Sequence, residues 1–387
     1  MLDAQRASLS RRLGIAIPIF AFSHCRDVVV EVTRAGGFGV LGAVTFSPEQ
    51  LERELAWIDS HVGGRPYGID VLMATSYERA AETASGPLID MVPEAQREFV
   101  TRLLDEEGVP RLPPGLEREI VTERAERDKN NTRYGARRLI DVALNHPQVR
   151  MVVSALGVPP AELVGLLRAR GILVGGLCGK PEHVRHHQAA GVDVIIAQGS
   201  EAAGHTGSIS SMVLWPQVVD ACAGTGVAVL AAGGISTGRH VAAAEALGAD
   251  GAWIGSLWLG TRESELLQHE KAGLFTASSS DTVQATCMSG KTARMLKSKW
   301  TDAWARPDAP PTLPTPLQGV LFRWANDRIA RVGRTDLVSV PVGQAVGVIR
   351  AEESTREVMV RLQSEYLEVL GRMDERLRDL SVETGSA

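Results

Sequence analysis

The chain has 387 residues and a formal net charge of −5, from 41 Lys plus Arg against 46 Asp plus Glu. Apolar residues make up 44% and charged residues 22%, a globular balance that excludes wholesale disorder and a coiled-coil rod and gives no electrostatic case for nucleic acid. No apolar run reaches the ~18 residues of a membrane helix, the polar start Met1–Arg12 has no apolar signal core, and four scattered cysteines (Cys25, Cys178, Cys222, Cys287) without a CxxC point to reduced cytoplasmic thiols.

From residue 15 the chain alternates short apolar runs with amphipathic stretches. Ile15–Ala21 reads as a strand, Arg26–Arg34 as a helix stopped by Gly36-Gly37, and Phe38–Val44 as a second strand. Ser47-Pro48-Glu49-Gln50 opens the next helix, with Ser47 as N-cap, Pro48 at the first helical position and Gln50 at the third. Tyr67–Met73 is a third strand. The rhythm then breaks. Residues 76–146 are charged, carry Pro113-Pro114 and show helical periodicity over Leu116–Leu144. This is the pattern of a helical excursion inserted after the third strand, expected to roof the site; a surface decoration or an oligomer contact is the alternative.

The rhythm resumes with strands at Val149–Ser154, Ile172–Leu177, Asp193–Ala197, Val227–Leu230 and Gly251–Ile254. Helices at Pro160–Arg170, Pro181–Ala190, Trp215–Ala223 and Gly238–Leu247 alternate with them. Eight near-continuous apolar strands with helical followers predict an α/β protein with a closed (β/α)8 TIM barrel, an open doubly wound sheet being the alternative. After Gly273 the alternation stops. Thr292–Trp304, Gln318–Val332 and Gln344–Leu370 read as helices around a Pro-rich bridge, Arg306–Pro316, and Ser381–Ala387 as a loose tail. The expected organisation is a barrel from 1–75 and 147–272, a helical insertion at 76–146 and a C-terminal helical cap at 273–387.

Several motifs fail on context. Gly37-x-Gly39-x-x-Gly42 matches a dinucleotide fingerprint, but its glycines follow a helix and run through a strand, the reverse of what that mechanism needs. Ser289-Gly290-Lys291-Thr292 resembles the end of a P-loop, yet Ala285 stands where its first glycine belongs. His183 and His187 lie one helical turn apart with His186 beside them, but no acid or thiol joins them. A solvated helix face is the expected reading, and no metal site is expected.

Two constellations are positional. Gly233-Gly234 follows the seventh barrel strand and Gly255-Ser256 the eighth, where barrel loops commonly take a phosphate on backbone N–H groups; ordinary tight turns are the alternative. The loop Gln198-Gly199-Ser200-Glu201-Ala202-Ala203-Gly204-His205-Thr206-Gly207 ends the sixth strand and carries a glycine-flanked histidine on the same face.

The runs IIAQGSEAAGHTG, VLAAGGISTGR and GADGAWIGSLWLGTRES, with AGGFGVLG, YGIDV, SGKTARMLK and GQAVGVI, resemble the nitronate monooxygenase (2-nitropropane dioxygenase) family, a relative of FMN-dependent enoyl reductases. The resemblance covers nearly the whole chain except 76–146. It implies a barrel holding FMN noncovalently, its phosphate on Gly233, Gly234, Gly255 and Ser256, with Gln198, Gly199, Gly204, Ala232, Asp70 and Phe22 completing the cofactor set. His205 matches the active-site histidine, and His24 and Ser154 are expected to face substrate. A histidine there can hold an anionic nitronate as a donor or, when neutral, take the α-proton of a nitroalkane. This chain departs from the family at Phe22-Ser23-His24, where Ala-Pro-Met is usual, at Asp70, where Asn is usual, and at Leu177, where some members carry Lys. The expected activity is oxidation of alkyl nitronates with O2. An FMN reductase or dehydrogenase acting on an enoyl or other acyl thioester, and a non-catalytic flavin-binding protein, are the alternatives. The expected partners are a small-molecule substrate and a second copy of the chain as a homodimer, with no nucleic acid and no membrane.

Overall fold

The computed structural model describes residues 8–385, with side chains described to Leu380. The chain starts with a short helix, α1 (Leu9–Leu13), capped by the Ser8 hydroxyl and stopped by Gly14 in the left-handed region. Leu9 and Leu13 are buried with Phe20, Phe38, Met151 and Val194, so this polar-looking segment plugs the N-terminal end of the barrel.

The barrel begins β1 (Ile19–Ser23), α2 (Arg26–Arg34), β2 (Phe38–Gly42), α3 (Pro48–His61), β3 (Tyr67–Leu72). The Ser47–Gln50 capping box forms as the residue types require. The first excursion follows, with α4 (Ala80–Thr83), α5 (Glu94–Glu106) and α6 (Pro114–Asp128). The barrel resumes through α7 (Arg133–Ala143), β4 (Val149–Ala155), α8 (Ala161–Ala169), β5 (Leu173–Cys178), α9 (Val184–Ala190) and β6 (Val194–Gln198). A two-residue strand, β7 (Gly204–His205), interrupts it before α10 (Ser211–Cys222), β8 (Ala228–Ala232), α11 (Gly238–Ala246) and β9 (Gly251–Ile254). The second excursion holds α12 (Gln268–Thr276), β10 (Thr282–Ala285), β11 (Ala293–Leu296), α13 (Lys299–Trp304) and α14 (Leu317–Val332), and the chain ends in α15 (Thr355–Gly385).

The eight long strands pair in parallel in the order β1-β2-β3-β4-β5-β6-β8-β9, and β9 closes on β1. The fold is the (β/α)8 barrel. Both strand faces are buried: Val40, Met151, Val153 and Leu230 fill the lumen, while Leu41, Val152 and Val229 pack under the helices. That double burial is why the strands read as apolar runs without alternation.

Two helices sit differently from the expected divisions. α7, read as part of the insertion, packs on α3 and β3 as the third barrel helix. α15, read as part of a cap, packs between α11 and α2 as the eighth. Each therefore closes an excursion and returns the chain to the barrel. The excursions between them share one core: Leu88, Phe99, Val100, Leu103 and Leu104 from the first pack with Trp300, Leu317, Leu321 and Ile329 from the second. Arg328 is buried at this seam and donates to the Asp105 carboxylate and the Val109 and Pro110 carbonyls.

Other local readings change. β1 starts at Ile19, because Ile15 donates to the Ser10 carbonyl and Ala16 and Ile17 donate to the Gly36 carbonyl, outside the ladder. Thr292–Trp304 splits into β11, paired to β10 and β7, and α13, which Ser298 caps. Gln344–Leu370 splits into a short 3-10 turn (Gln344–Val348), where Gly347 packs on Ser279 with no room for a Cβ, and α15. The backbone of Ser381–Gly385 continues α15, and the last two residues of the expected tail lie outside the described residues. Among the described residues, no helix is long and apolar enough to cross a membrane.

Candidate active site

The C-terminal ends of β8 and β9 form a cradle of unsatisfied backbone donors. Gly233 and Gly234 have φ of 107° and 72°, which turn two successive amides out of the strand. The amides of Gly233, Gly234, Gly255 and Ser256 meet no acceptor among the described residues. A Cβ built at Gly234 would meet only the Glu201 side chain, at 3.6 Å, and one at Gly255 only Phe22, at 3.9 Å. The cradle is open in front of both glycines, with no further atom outside the neighbouring residues within 4 Å of either added Cβ. Behind it, the Ser256 hydroxyl accepts from the Gly343 amide at 2.9 Å. A Cβ at Gly343 would lie 2.5 Å from the Glu201 carbonyl, so this packing requires glycine.

The loop after β6 is held from several sides. The Glu201 carboxylate accepts from the Ser211 amide and hydroxyl, capping α10. Gln198 donates Nε2 to the Ala203 carbonyl at 3.1 Å, leaving Oε1 for a ligand. Gly199 packs on Ser211 with no room for a Cβ, and Gly204 takes φ 64°. β7 then pairs antiparallel with β11, placing His205 opposite Ala293. His205 Nε2 lies 2.7 Å from Ser289 Oγ, while the Lys291 amide donates to that same oxygen and Lys291 Nζ donates to Ser76 Oγ. Burial, reinforced by the Lys291 charge, pushes the His205 pKa down to about 4, so it is neutral at pH 7. The run dismissed above as a broken P-loop thus supplies the hydrogen-bond partner of His205. Its usable signal was its place among the family-like stretches.

Across the mouth, Phe22 stacks on Trp253 and meets the His24 ring edge-on. His24 Nδ1 lies 2.9 Å from the Gly42 carbonyl. Asp70 ends up beside Gly42 on the neighbouring strand, facing the lumen and 6% exposed. It has no side-chain hydrogen bond among the described residues, and burial raises its pKa well above the usual carboxylate range.

Two readings fail. Ser154 is fully buried on the helix-facing side of β4, with its hydroxyl donated to the Gly157 carbonyl, so it does not face substrate. His187 is not on a solvated face: it is 2% exposed, packs on Gly176, and burial lowers its pKa to about 4. Gly39 in the spurious fingerprint is a packing glycine, with no room for a Cβ against Val29.

The model of the family "Nitronate monooxygenase" matches residues 21–365. A Mycobacterium tuberculosis protein, Rv1533, provisionally named a monooxygenase, is 43% identical over 95% of this chain and 98% of its own length. A Staphylococcus aureus protein provisionally named a nitronate monooxygenase is 26% identical, over 87% and 91%. Among solved structures, nitroalkane oxidase from Streptomyces ansochromogenes superposes with a TM-score of 0.76 at 25% identity, covering 93% of this chain and 98% of that one. FabK from Thermotoga maritima shares the fold, with a TM-score of 0.67 at 20% identity over 96% and 100%. The matched span runs from the middle of β1 into α15, across the cradle and the His205 loop, and on that ground the chain is an oxidoreductase belonging to the nitronate monooxygenase family.

Proposed function

We propose that this chain is an FMN-dependent nitronate monooxygenase that oxidises alkyl nitronates with O2. The observation that carries the reading is the row of unpartnered amides at Gly233, Gly234, Gly255 and Ser256 beside a neutral, Ser289-bound His205. A single-phosphate cradle suits FMN better than FAD, whose diphosphate is an internal bridge. Gly204, Gln198 and Asp70 would line the flavin, with Phe22 and Ala232 as its apolar support. When bound, the flavin supplies the electron acceptor for the substrate and the route to oxygen. The chain's own side chains bind and orient. The Ser289 hydroxyl accepts from the Lys291 amide and lies 2.7 Å from His205 Nε2, which fixes the orientation of the neutral imidazole. The nearby Lys291 cation suits the nitro oxygens of an anion.

Oxygen uptake with propionate 3-nitronate tests the reading, together with the visible spectrum of the pure protein and the mass of its released chromophore. FMN with nitronate-dependent oxygen uptake is the expected result. NAD(P)H oxidation that depends on an enoyl thioester, without nitronate turnover, would replace it with the reductase reading.

A further inference from the structure

Asp70 is the outlier of the barrel mouth, a buried carboxyl group with no hydrogen bond or ion pair among the described residues. Strand parity fixes its direction. Ile69 and Val71 pack with Ala136, Leu139 and Ile140 under α7, so Asp70 between them faces the lumen.

No neighbouring charge is free to pair with it. On β2, Gly42 is in register with Asp70, and a Cβ at Gly42 would sit 2.5 Å from His24 Nδ1, so the His24 ring fills that space. Burial lowers the His24 pKa and keeps the ring neutral at pH 7. On β4 the paired residue is Val153. The turn Ala43–Thr45 has no titratable side chain. Lys129, on the turn that packs against β3, is paired to Glu126. On α7, Arg133, Tyr134 and Arg137 are exposed, and Arg138 pairs with Glu126. An ionised carboxylate at Asp70 would meet neither a cation nor a donor, and burial alone raises its pKa well above the usual range. Asp70 therefore keeps its proton, and an un-ionised carboxyl is a hydrogen-bond donor.

The other polar side chains of the mouth are in the complementary state. Gln198 has given Nε2 to the Ala203 carbonyl, and His24 has given Nδ1–H to the Gly42 carbonyl, since a carbonyl only accepts. Each keeps one free acceptor, Gln198 Oε1 and His24 Nε2. The free donor among these three side chains is the Asp70 O–H. Barrel order sets that donor across the mouth from the cradle: from β9 the strands run β1-β2-β3, and from β8 they run back β6-β5-β4-β3. A ligand anchored by its phosphate after β8 and β9, and extended over the mouth, brings its other end to β3.

We propose that Asp70 donates a hydrogen bond from its carboxyl O–H to the flavin ring, and that this contact raises the electron affinity of the ring. The inference rests on the FMN reading above. The ring's carbonyl oxygens and unprotonated nitrogens are acceptors, and they gain electron density on reduction, so a fixed donor favours the reduced form. An asparagine at this position would offer an amide donor instead, whereas a leucine would offer none.

Infrared difference spectra of the full-length apoprotein and its FMN complex test the proton directly. Wild type should show the carbonyl stretch of an un-ionised carboxylic acid at pH 7, absent in Asp70→Asn, and FMN should move it to lower frequency. Asp70→Leu should weaken FMN by about 2- to 10-fold, the range of one neutral hydrogen bond. A similar preference for the reduced ring corresponds to a midpoint potential about 10–30 mV more negative in Asp70→Leu. Asp70→Asn should stay close to wild type in both affinity and potential. The proposal is overturned if the wild-type band is missing or unmoved by FMN, if Asp70→Leu keeps the wild-type affinity and potential, or if Asp70→Asn falls as far as Asp70→Leu. Wild type that takes up no FMN would overturn the FMN reading itself, whereas FMN binding with an unmoved band overturns the Asp70 contact alone.

Discussion

Gly234→Val tests the anion cradle directly. Gly234 sits at φ 72°, where an L-residue costs ~1–2 kcal/mol and a β-branched one more. The new Cβ meets only Glu201 carbons, at 3.6 and 3.9 Å, so no backbone collision adds to that cost. A loss of this size is a minor part of a stability of ~5–15 kcal/mol, and the variant should fold. Its effect on the ligand is larger. The valine methyls would project into the space that the Gly234 and Gly255 amides face. Hydrogen bonds to charged groups contribute ~1.5–3 kcal/mol each, so losing two weakens FMN by ~3–6 kcal/mol, or ~10²–10⁴-fold in Kd. Gly224 is the control, because it has the same φ of 72° and open space around its Cβ, away from the cradle. Gly224→Val should reproduce the stability loss and leave FMN affinity alone. Flavin fluorescence quenching on titrating the apoproteins gives the Kd, and far-UV circular dichroism with thermal melting gives stability. If Gly234→Val binds FMN within threefold of the Gly224→Val control, the phosphate does not sit at this turn.

Other outcomes follow from the same structure. His187 and His205 have pKa values near 4 when folded, against 6.5 for a free imidazole. The unfolded chain therefore binds more protons between pH 6.5 and 4, and stability falls with acidification through that window, by on the order of 2 kcal/mol per histidine at pH 5. Urea unfolding of His187→Leu at pH 7 and pH 5 should show a correspondingly smaller drop than wild type; an unchanged drop refutes the burial argument. Lys291→Met removes the cation that helps depress His205, so NMR titration should show its pKa rising, and no movement would show that burial acts alone. Gly343→Ala would press on the Glu201 carbonyl at 2.5 Å, and should lower the melting temperature by the equivalent of ~1–3 kcal/mol and release flavin together. Replacing residues 76–132 by a short turn should expose Trp300, Leu317 and Leu321 and yield insoluble protein; a soluble, flavin-loaded product would show that the second excursion folds without the first.

The barrel was legible because its physics is local and repeated. Apolar runs of strand length, capping signals such as Ser47–Gln50, and glycines at strand ends each act within a few residues, and their alternation is enough to imply closure. The cradle glycines were legible for the same reason, since position at the end of a strand places them at the C-terminal mouth of the barrel. The remaining features depend on contacts between residues far apart in the chain. Nothing local marks α15 as the eighth barrel helix, because its place is set by α11 and α2 after a long detour. Nothing local makes Ser289 the partner of His205, which requires β11 to pair with β7. Ser154 pairs with Val71, the residue after Asp70, and that one-residue step in strand parity decides that Ser154 faces the helices and Asp70 the lumen. The state of His24 was equally hidden: a histidine in sequence has two possible tautomers, and the choice here is made by the Gly42 carbonyl, which the adjacent strand brings to 2.9 Å.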